Sequence, residues 1–140
     1  MKLTKHASRL IRSARIAHLA TADASGMPHV IPICFAFDGK NFYSSIDEKP
    51  KRTVPSKLKR LRNIAENSQV AIVIDHYEED WRKLSYVLVS GKARVLLPGA
   101  KHQAAVRLLR RKYPQYRIMR IEKLPMIVIR PTRVTSWSAL

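Results

Sequence analysis

The stretch from Ile16 to Gly39, IAHLATADASGMPHVIPICFAFDG, decides how the chain folds. Residues 16–22 read as a strand, DASG as a turn in which Gly26 can take a positive φ, and residues 28–37 as the returning strand. The returning strand carries Pro28 and Pro32. Proline has no main-chain N–H to donate, so such a strand cannot be hydrogen-bonded on both sides throughout. One edge is left either to solvent, where prolines discourage edge-to-edge association, or to something other than a strand. A second turn, DGKN, leads into FYSSI, and short loops between successive strands specify an antiparallel meander.

Working outward, Ala7, Leu10, Ile11 and Ala14 recur at helical spacing among Lys and Arg, which predicts an opening amphipathic helix capped by Thr4. SKLKRLRNIAEN predicts a second helix with Leu58, Leu61 and Ala65 on its inner face, Ser56 as cap and Pro55 just before it. QVAIVIDHY and YVLVSGKARVLL read as central strands, with Gly91 marking a bulge or sharp bend of the kind that closes a small barrel. GAKHQAAVRLLRRKY predicts a third helix, Ala105, Leu108 and Leu109 inward and Arg107, Arg110, Arg111 and Lys112 outward. PMIVIRPTRVTSW is the last strand, interrupted at Pro131. Together these make a mainly β, α+β chain: about six antiparallel strands in a closed or partly closed barrel, with about three peripheral helices. No repeat or linker divides residues 1–140, so a single domain is expected.

The chain has 140 residues, 46% of them hydrophobic, enough for one real core. Its 27 Lys and Arg against 10 Asp and Glu give a formal charge of +17, which points to an anionic partner. The excess is clustered before Ile16, between Lys49 and Arg62, and between Lys92 and Lys123. Cys34, alone of its kind, cannot form an internal disulfide and reads as a small buried hydrophobe. No apolar run is long enough to cross a bilayer, and the basic N-terminal segment lacks the continuous apolar centre of a secretory signal, so a cytoplasmic protein without a membrane role is expected.

Several chemistries lack their residues. The four glycines are isolated, so there is no phosphate-cradling loop, and the five histidines show no zinc-type pairing. The acidic group DHYEED sits where a strand should end and reads first as a solvated turn and second as a substrate-side or structural element. No nucleophile with an adjacent base stands out, so neither a catalytic side chain nor a metal ligand is assigned. A barrel of this composition can still be an enzyme if a bound cofactor supplies the chemistry and the fold positions it.

The run ARIAHLATADASGMPHVIPICFAFDGKNFYSSID, followed by a basic segment, a short helix and NSQVAIVIDHY, resembles the flavin-binding split-barrel superfamily that includes pyridoxamine 5′-phosphate oxidase. The likeness extends to RVTSW near the C-terminus, and DEKPK, DHYEEDW and RPTRVTSWS look most like a subgroup assigned to the deazaflavin coenzyme F-420. The resemblance implies a PNPOx-like FMN-binding split barrel whose cofactor ring lies along the second strand of the meander, here His29, Val30, Ile31, Pro32 and Ile33. The phosphate would meet Tyr43, Ser44 and Ser45, together with basic residues after that strand. Those are Lys49, Lys51 and Arg52 counted forward from the strand, or Lys57, Lys59 and Arg60 counted back from the helix, because this stretch is longer than in pyridoxamine phosphate oxidases. Tyr86 stands where the oxidases carry a polar cofactor contact, and Trp137 matches a near-terminal tryptophan lining the pocket; Trp81 belongs to the subgroup signature and receives no role.

The implied activity is hydride transfer between F-420 or FMN and a small organic substrate, in a homodimer with cofactor sites at the subunit boundary. A polyglutamate-tailed deazaflavin would suit the +17 charge better than FMN with its single phosphate. Two other readings stand beside it. One is a carrier that binds the cofactor without turnover. The other is a basic β-barrel that binds nucleic acid, which requires aromatic side chains interleaved with basic ones; only Phe42 and Tyr43 come near that pattern.

Overall fold

The computed structural model describes residues 2–46 and 58–139. Helix α1 (Lys5–Ser13) begins at Thr4, whose Oγ1 accepts from the Ala7 amide at 3.0 Å, and it buries Ala7, Leu10 and Ile11. Strands β1 (Ala17–Ala22) and β2 (Pro28–Ile33) form a hairpin, β3 (Ala36–Phe37) and β4 (Phe42–Ser45) a second, and α2 (Lys59–Glu66) follows. Two long strands, β5 (Gln69–His76) and β6 (Ser85–Leu96), precede α3 (Ala100–Lys112), and β7 (Met126–Ser138) closes the chain.

All seven strands join one sheet in the order β2-β1-β5-β6-β7-β4-β3, every pairing antiparallel. The two end strands of that order, β2 and β3, are separated in the chain by Cys34 and Phe35 alone. Ile33 and Ala36 therefore lie at most about 11 Å apart, three Cα–Cα steps. A sheet whose ends are tied so closely must curl onto itself: this is a split barrel, and the split runs between β2 and β3. The single strand expected over residues 28–37 becomes two because Phe35 leaves the ladder. Its N–H instead donates to the Tyr113 hydroxyl at 3.1 Å, and that hydroxyl lies 2.9 Å from the Arg15 carbonyl and 3.2 Å from that of Phe35. The count is thus seven strands, not six.

Inside the barrel, Leu19, Phe35, Phe42, Ile72, Ile74, Val87, Val89, Ile127 and Ile129 form the main core with the inner faces of α1 and α2. Alternate residues of β4 and β7 face the other way, where Tyr43, Met126 and Val128 pack under α3 with Val106, Leu109, Tyr113 and Ile121. Pro131 does not break β7. It pairs with Gly91 across a bulge in which Thr132 is the extra residue. A Cβ on Gly91 would sit 2.6 Å from the Arg130 carbonyl oxygen, so only glycine fits there.

Three helix expectations change. Leu58 occupies the N-cap position of α2, so Ser56, which like Pro55 lies outside the described residues, is not its cap; Ile64 and Asn63 are buried while Ala65 is exposed. On α3 the buried set is His102, Ala105, Val106 and Leu109, with Leu108 half-buried. Arg110 and Lys112 do not point fully outward. Arg110 donates to the Tyr116 and Met119 carbonyls, both at 2.8 Å, and pairs with Glu122, pinning the segment after the helix. Among the described residues no helix is long and apolar enough to cross a membrane.

Candidate functional site

The hydrogen bonds at the turn end of the first hairpin settle where the prolines point. Asp23 N–H donates to the Met27 carbonyl at 3.3 Å, and Asp23 continues the β1–β2 register one pair beyond Ala22 and Pro28. In an antiparallel pair the bonded and non-bonded positions alternate, so residues 29, 31 and 33 bond to β1 while 28, 30 and 32 turn their main chain away from it. β2 ends the sheet order, hence this outer side has no strand beside it. It offers the carbonyls of Pro28, Val30 and Pro32 but one N–H, that of Val30, whose side chain is 61% exposed. Pro28 and Pro32 are also exposed, and Ile33 is buried.

The other face of β2 points into the fold. His29 is half-buried opposite Thr21, and its Nδ1 is shut from solvent without a hydrogen-bond partner. Thr21 in turn accepts from Asn63 Nδ2 on α2 at 3.0 Å, while Asn63 Oδ1 is likewise buried and unpartnered. Two orphaned polar atoms flanking one threonine are unusual, since leaving such a group unsatisfied costs about 1–3 kcal/mol. Both atoms lie inside the fold, so a ligand outside β2 does not reach them. What the outer side presents, the Val30 N–H between the carbonyls of Pro28, Val30 and Pro32, fits the alternating donor and acceptor edge of a flavin-type ring. Neither Thr21 nor Asn63 was singled out from the sequence, where both look like ordinary element residues; only the docking of α2 on β1 joins them to His29.

That docking also delivers positive charge. Glu66 Oε1 accepts from the Ala24 amide at 3.2 Å, and Lys59 Nζ stands 3.9 Å from Asp23 Oδ2, so α2 lies along the hairpin that carries β2. The Asp23 carboxyl is held below its ordinary pKa, first by the Ser25 hydroxyl, then by the Met27 amide, with Lys59 adding to it. Lys59 and Arg60 thus open a helix beside the β1–β2 hairpin. Lys49, Lys51, Arg52 and Lys57 lie outside the described residues.

Tyr43, Ser44 and Ser45 are buried in β4. The Tyr43 hydroxyl donates to Asp38 Oδ2 at 2.8 Å and Ser45 Oγ donates to the Ile46 carbonyl at 3.0 Å. Burial would raise the Asp38 pKa, but the Asn41 and Lys40 amides and the Tyr43 hydroxyl outweigh it and hold the carboxylate ionised. Tyr86 and Trp137 come together as a cross-strand pair with stacked rings, centroids 6.0 Å apart, on the exposed side of β6 and β7 beside Leu88. Three strand spacings separate β6 from β2 in the sheet order, about 14 Å, so one chain does not bring this pair onto β2.

Cys34 is half-exposed, not buried. It lines a cavity of about 520 Å³ with Arg15, Ile16, Tyr113, Gln115, Tyr116 and Met119 at the end of β2. Nearby, Lys112 Nζ lies 3.7 Å from the centre of the Phe35 ring. Burial, and then the Arg15 charge, lower the Lys112 pKa to about 8, against which the ring face favours the charged form. The acidic turn is a solvated one, as its sequence indicated: Tyr77 and Glu79 are exposed, and Arg82 and Lys83 pair with Asp80 and Glu78.

A curled antiparallel sheet with a split beside a proline-bearing edge strand defines a split-barrel protein. Residues 3–138 match the pyridoxamine 5′-phosphate oxidase family, and the chain belongs to that family. It is 27% identical over 104 residues to the 5a,11a-dehydrotetracycline/5a,11a-dehydrooxytetracycline reductase of Streptomyces rimosus, an alignment covering 74% of this chain and 70% of the reductase. Among solved structures it is similar to an F420 reductase, with a TM-score of 0.68 at 22% identity over 95% of this chain and 98% of the other. It is similar also to HutZ, the heme storage protein of Vibrio cholerae, with a TM-score of 0.73 at 14% identity over 99% of this chain and 95% of HutZ. At these identities the structural likenesses speak to the fold.

Proposed function

We propose that the chain is an oxidoreductase that holds F-420 or FMN along β2. The observation that carries this is the outer side of β2: an edge strand with one available N–H, at Val30, flanked by two prolines that prevent another strand from docking there. When bound, the cofactor supplies hydride transfer to or from a small organic substrate. The protein's part is positional. Val30 N–H and the neighbouring carbonyls orient the ring edge, and Lys59 and Arg60, with the basic residues at 49–57, hold the negatively charged appendage. No side chain is required as a dedicated acid or base.

Family membership and the likeness to a reductase support an oxidoreductase over a carrier. The nucleic-acid reading loses its support, because Phe42 and Tyr43 are 1% and 4% exposed and present no ring face for a base. The charge of +17 favours F-420 with its anionic tail over FMN. Because Tyr86 and Trp137 sit away from β2, the reading includes a homodimer in which one protomer's Tyr86–Trp137 face covers its partner's cofactor edge. Exposed Tyr86, Leu88 and Trp137 form the apolar patch that such an interface would bury.

The test is titration of the purified protein with F-420 and with FMN, followed by fluorescence, on the wild type and on Val30→Pro. Proline at 30 removes the outward N–H without touching the bonds to β1. The expected result is unchanged melting, tighter binding of F-420 than of FMN, and about tenfold weaker cofactor binding in V30P. Equal cofactor affinity of V30P and wild type would overturn the placement along β2.

A further inference from the structure

We propose that a second site, at the junction of β6, β7 and the first turn of α3, binds a compact multivalent oxyanion of the diphosphate class. The argument does not rest on the reading of β2. Lys92, Arg94, Lys101 and Arg130 line one cavity of about 220 Å³, together with Asn41, Ala93 and Val128. Lys92 and Arg130 are directly opposed partners in the β6–β7 ladder. Like charges in that position repel and destabilise a sheet. Arg94 follows two residues along, on the same exposed face as Lys92, and Lys101 adds a fourth cation from α3, whose first turn holds no acidic residue.

Among the described residues no carboxylate pairs with these charges. Gln69, the partner of Lys92 on its other side, is neutral, and none of the four cations has an ion pair among the described residues. The carboxylate in the neighbouring turn, Asp38, is taken up by the Lys40 and Asn41 amides and the Tyr43 hydroxyl. A solvated surface would scatter such side chains; here two strands and a helix converge them on one concavity over buried Ala93 and Val128. Two guanidinium forks and two ammonium groups match phosphate oxygens, which accept several charge-assisted hydrogen bonds at once. Asn41, which lines the cavity, lies just before β4, whereas Ser45 ends that strand four residues on, about 13 Å away. One phosphate of a cofactor at the Ser45 end therefore does not serve both places.

The experiment measures melting temperature and calorimetric binding of the full chain with sodium pyrophosphate, against sodium chloride at matched ionic strength, in three proteins. These are the wild type, Lys92→Gln/Arg130→Gln, and Arg9→Gln/Arg12→Gln, which removes equal charge from the outer face of α1. The expected result is a saturable pyrophosphate-dependent rise in melting temperature for the wild type and the α1 variant. K92Q/R130Q should bind about tenfold or more weakly. Without ligand at low salt it should melt no lower than wild type, since a repulsion has been removed. If it fails to fold, Arg94→Gln/Lys101→Gln serves in its place with the same expectation for binding. A parallel titration with ADP tells a free diphosphate from one carried on a nucleoside, which would bind more tightly. A wild-type response to pyrophosphate no larger than to matched chloride, or equal loss in both double variants, would overturn the site.

Discussion

Lys112 shows how much a single side chain depends on what folds over it. On the helical pattern of α3 it is one more outward cation, yet the turn of chain through Cys34 and Phe35 places an aromatic ring under its ammonium group. Its pKa of about 8 lies below the ordinary 10.5, so the folded protein binds this proton less tightly than the unfolded chain does. The penalty for holding the charge is complete below about pH 8 and is released as the pH rises towards 10.5. Lys112→Met is therefore expected to melt a few degrees above wild type at pH 7, with the gap narrowing by pH 9.5; a constant gap in a pH series of thermal melts would contradict this. His29 is the complementary case. Its place on a strand of the hairpin was legible, but that its Nδ1 would be buried without a partner was not, because the fold and not the local order decides what packs over that side of the strand.

At the level of elements, the Cys34–Phe35 link and the Tyr113 hydroxyl form the latch of the split. Leaving the ladder strands a main-chain donor and acceptor at Phe35, and the hydroxyl satisfies the donor while also tying in Arg15, two residues before β1. Tyr113→Phe keeps the ring and leaves the Phe35 N–H buried without a partner, for an expected loss of about 2 kcal/mol in urea unfolding. If that variant unfolds at the wild-type midpoint, the latch contributes nothing. The elements themselves were read well because their patterns are strong: α1 with its Thr4 cap, the Gly91 bulge and the antiparallel meander all follow from local residue order. The errors fell where tertiary contact overrides local preference. Ala65 and Ile64 are adjacent, and the face that α2 turns to the sheet buries Ile64 with Leu61 and Asn63 and leaves Ala65 exposed.

At the scale of the whole molecule, the face that β6 and β7 turn outward divides exposed apolar surface from charge. The Tyr86, Leu88 and Trp137 patch occupies one end of the outer face of β6 and β7, and Lys92, Arg94 and Arg130 the other. The proposed dimer uses the apolar end. Leu88→Glu, at a side chain 40% exposed in one chain, is expected to leave the fold intact and shift the protein from dimer to monomer in light scattering, with loss of cofactor affinity in parallel. A wild-type monomer that binds cofactor fully would remove the dimer from the account.

Local order along the chain was enough for the class of fold, the hairpin, the proline-bearing strand and the family likeness, because alternation, turn residues and missing N–H groups act over a few residues and are written in them. What lay beyond it was which end of the sheet β2 would occupy, and that Lys92 would oppose Arg130, Asn63 reach Thr21 and Lys112 rest on Phe35. Each of those pairs joins residues distant in sequence, and their meeting is set by the closure of the barrel and the helices packed on it.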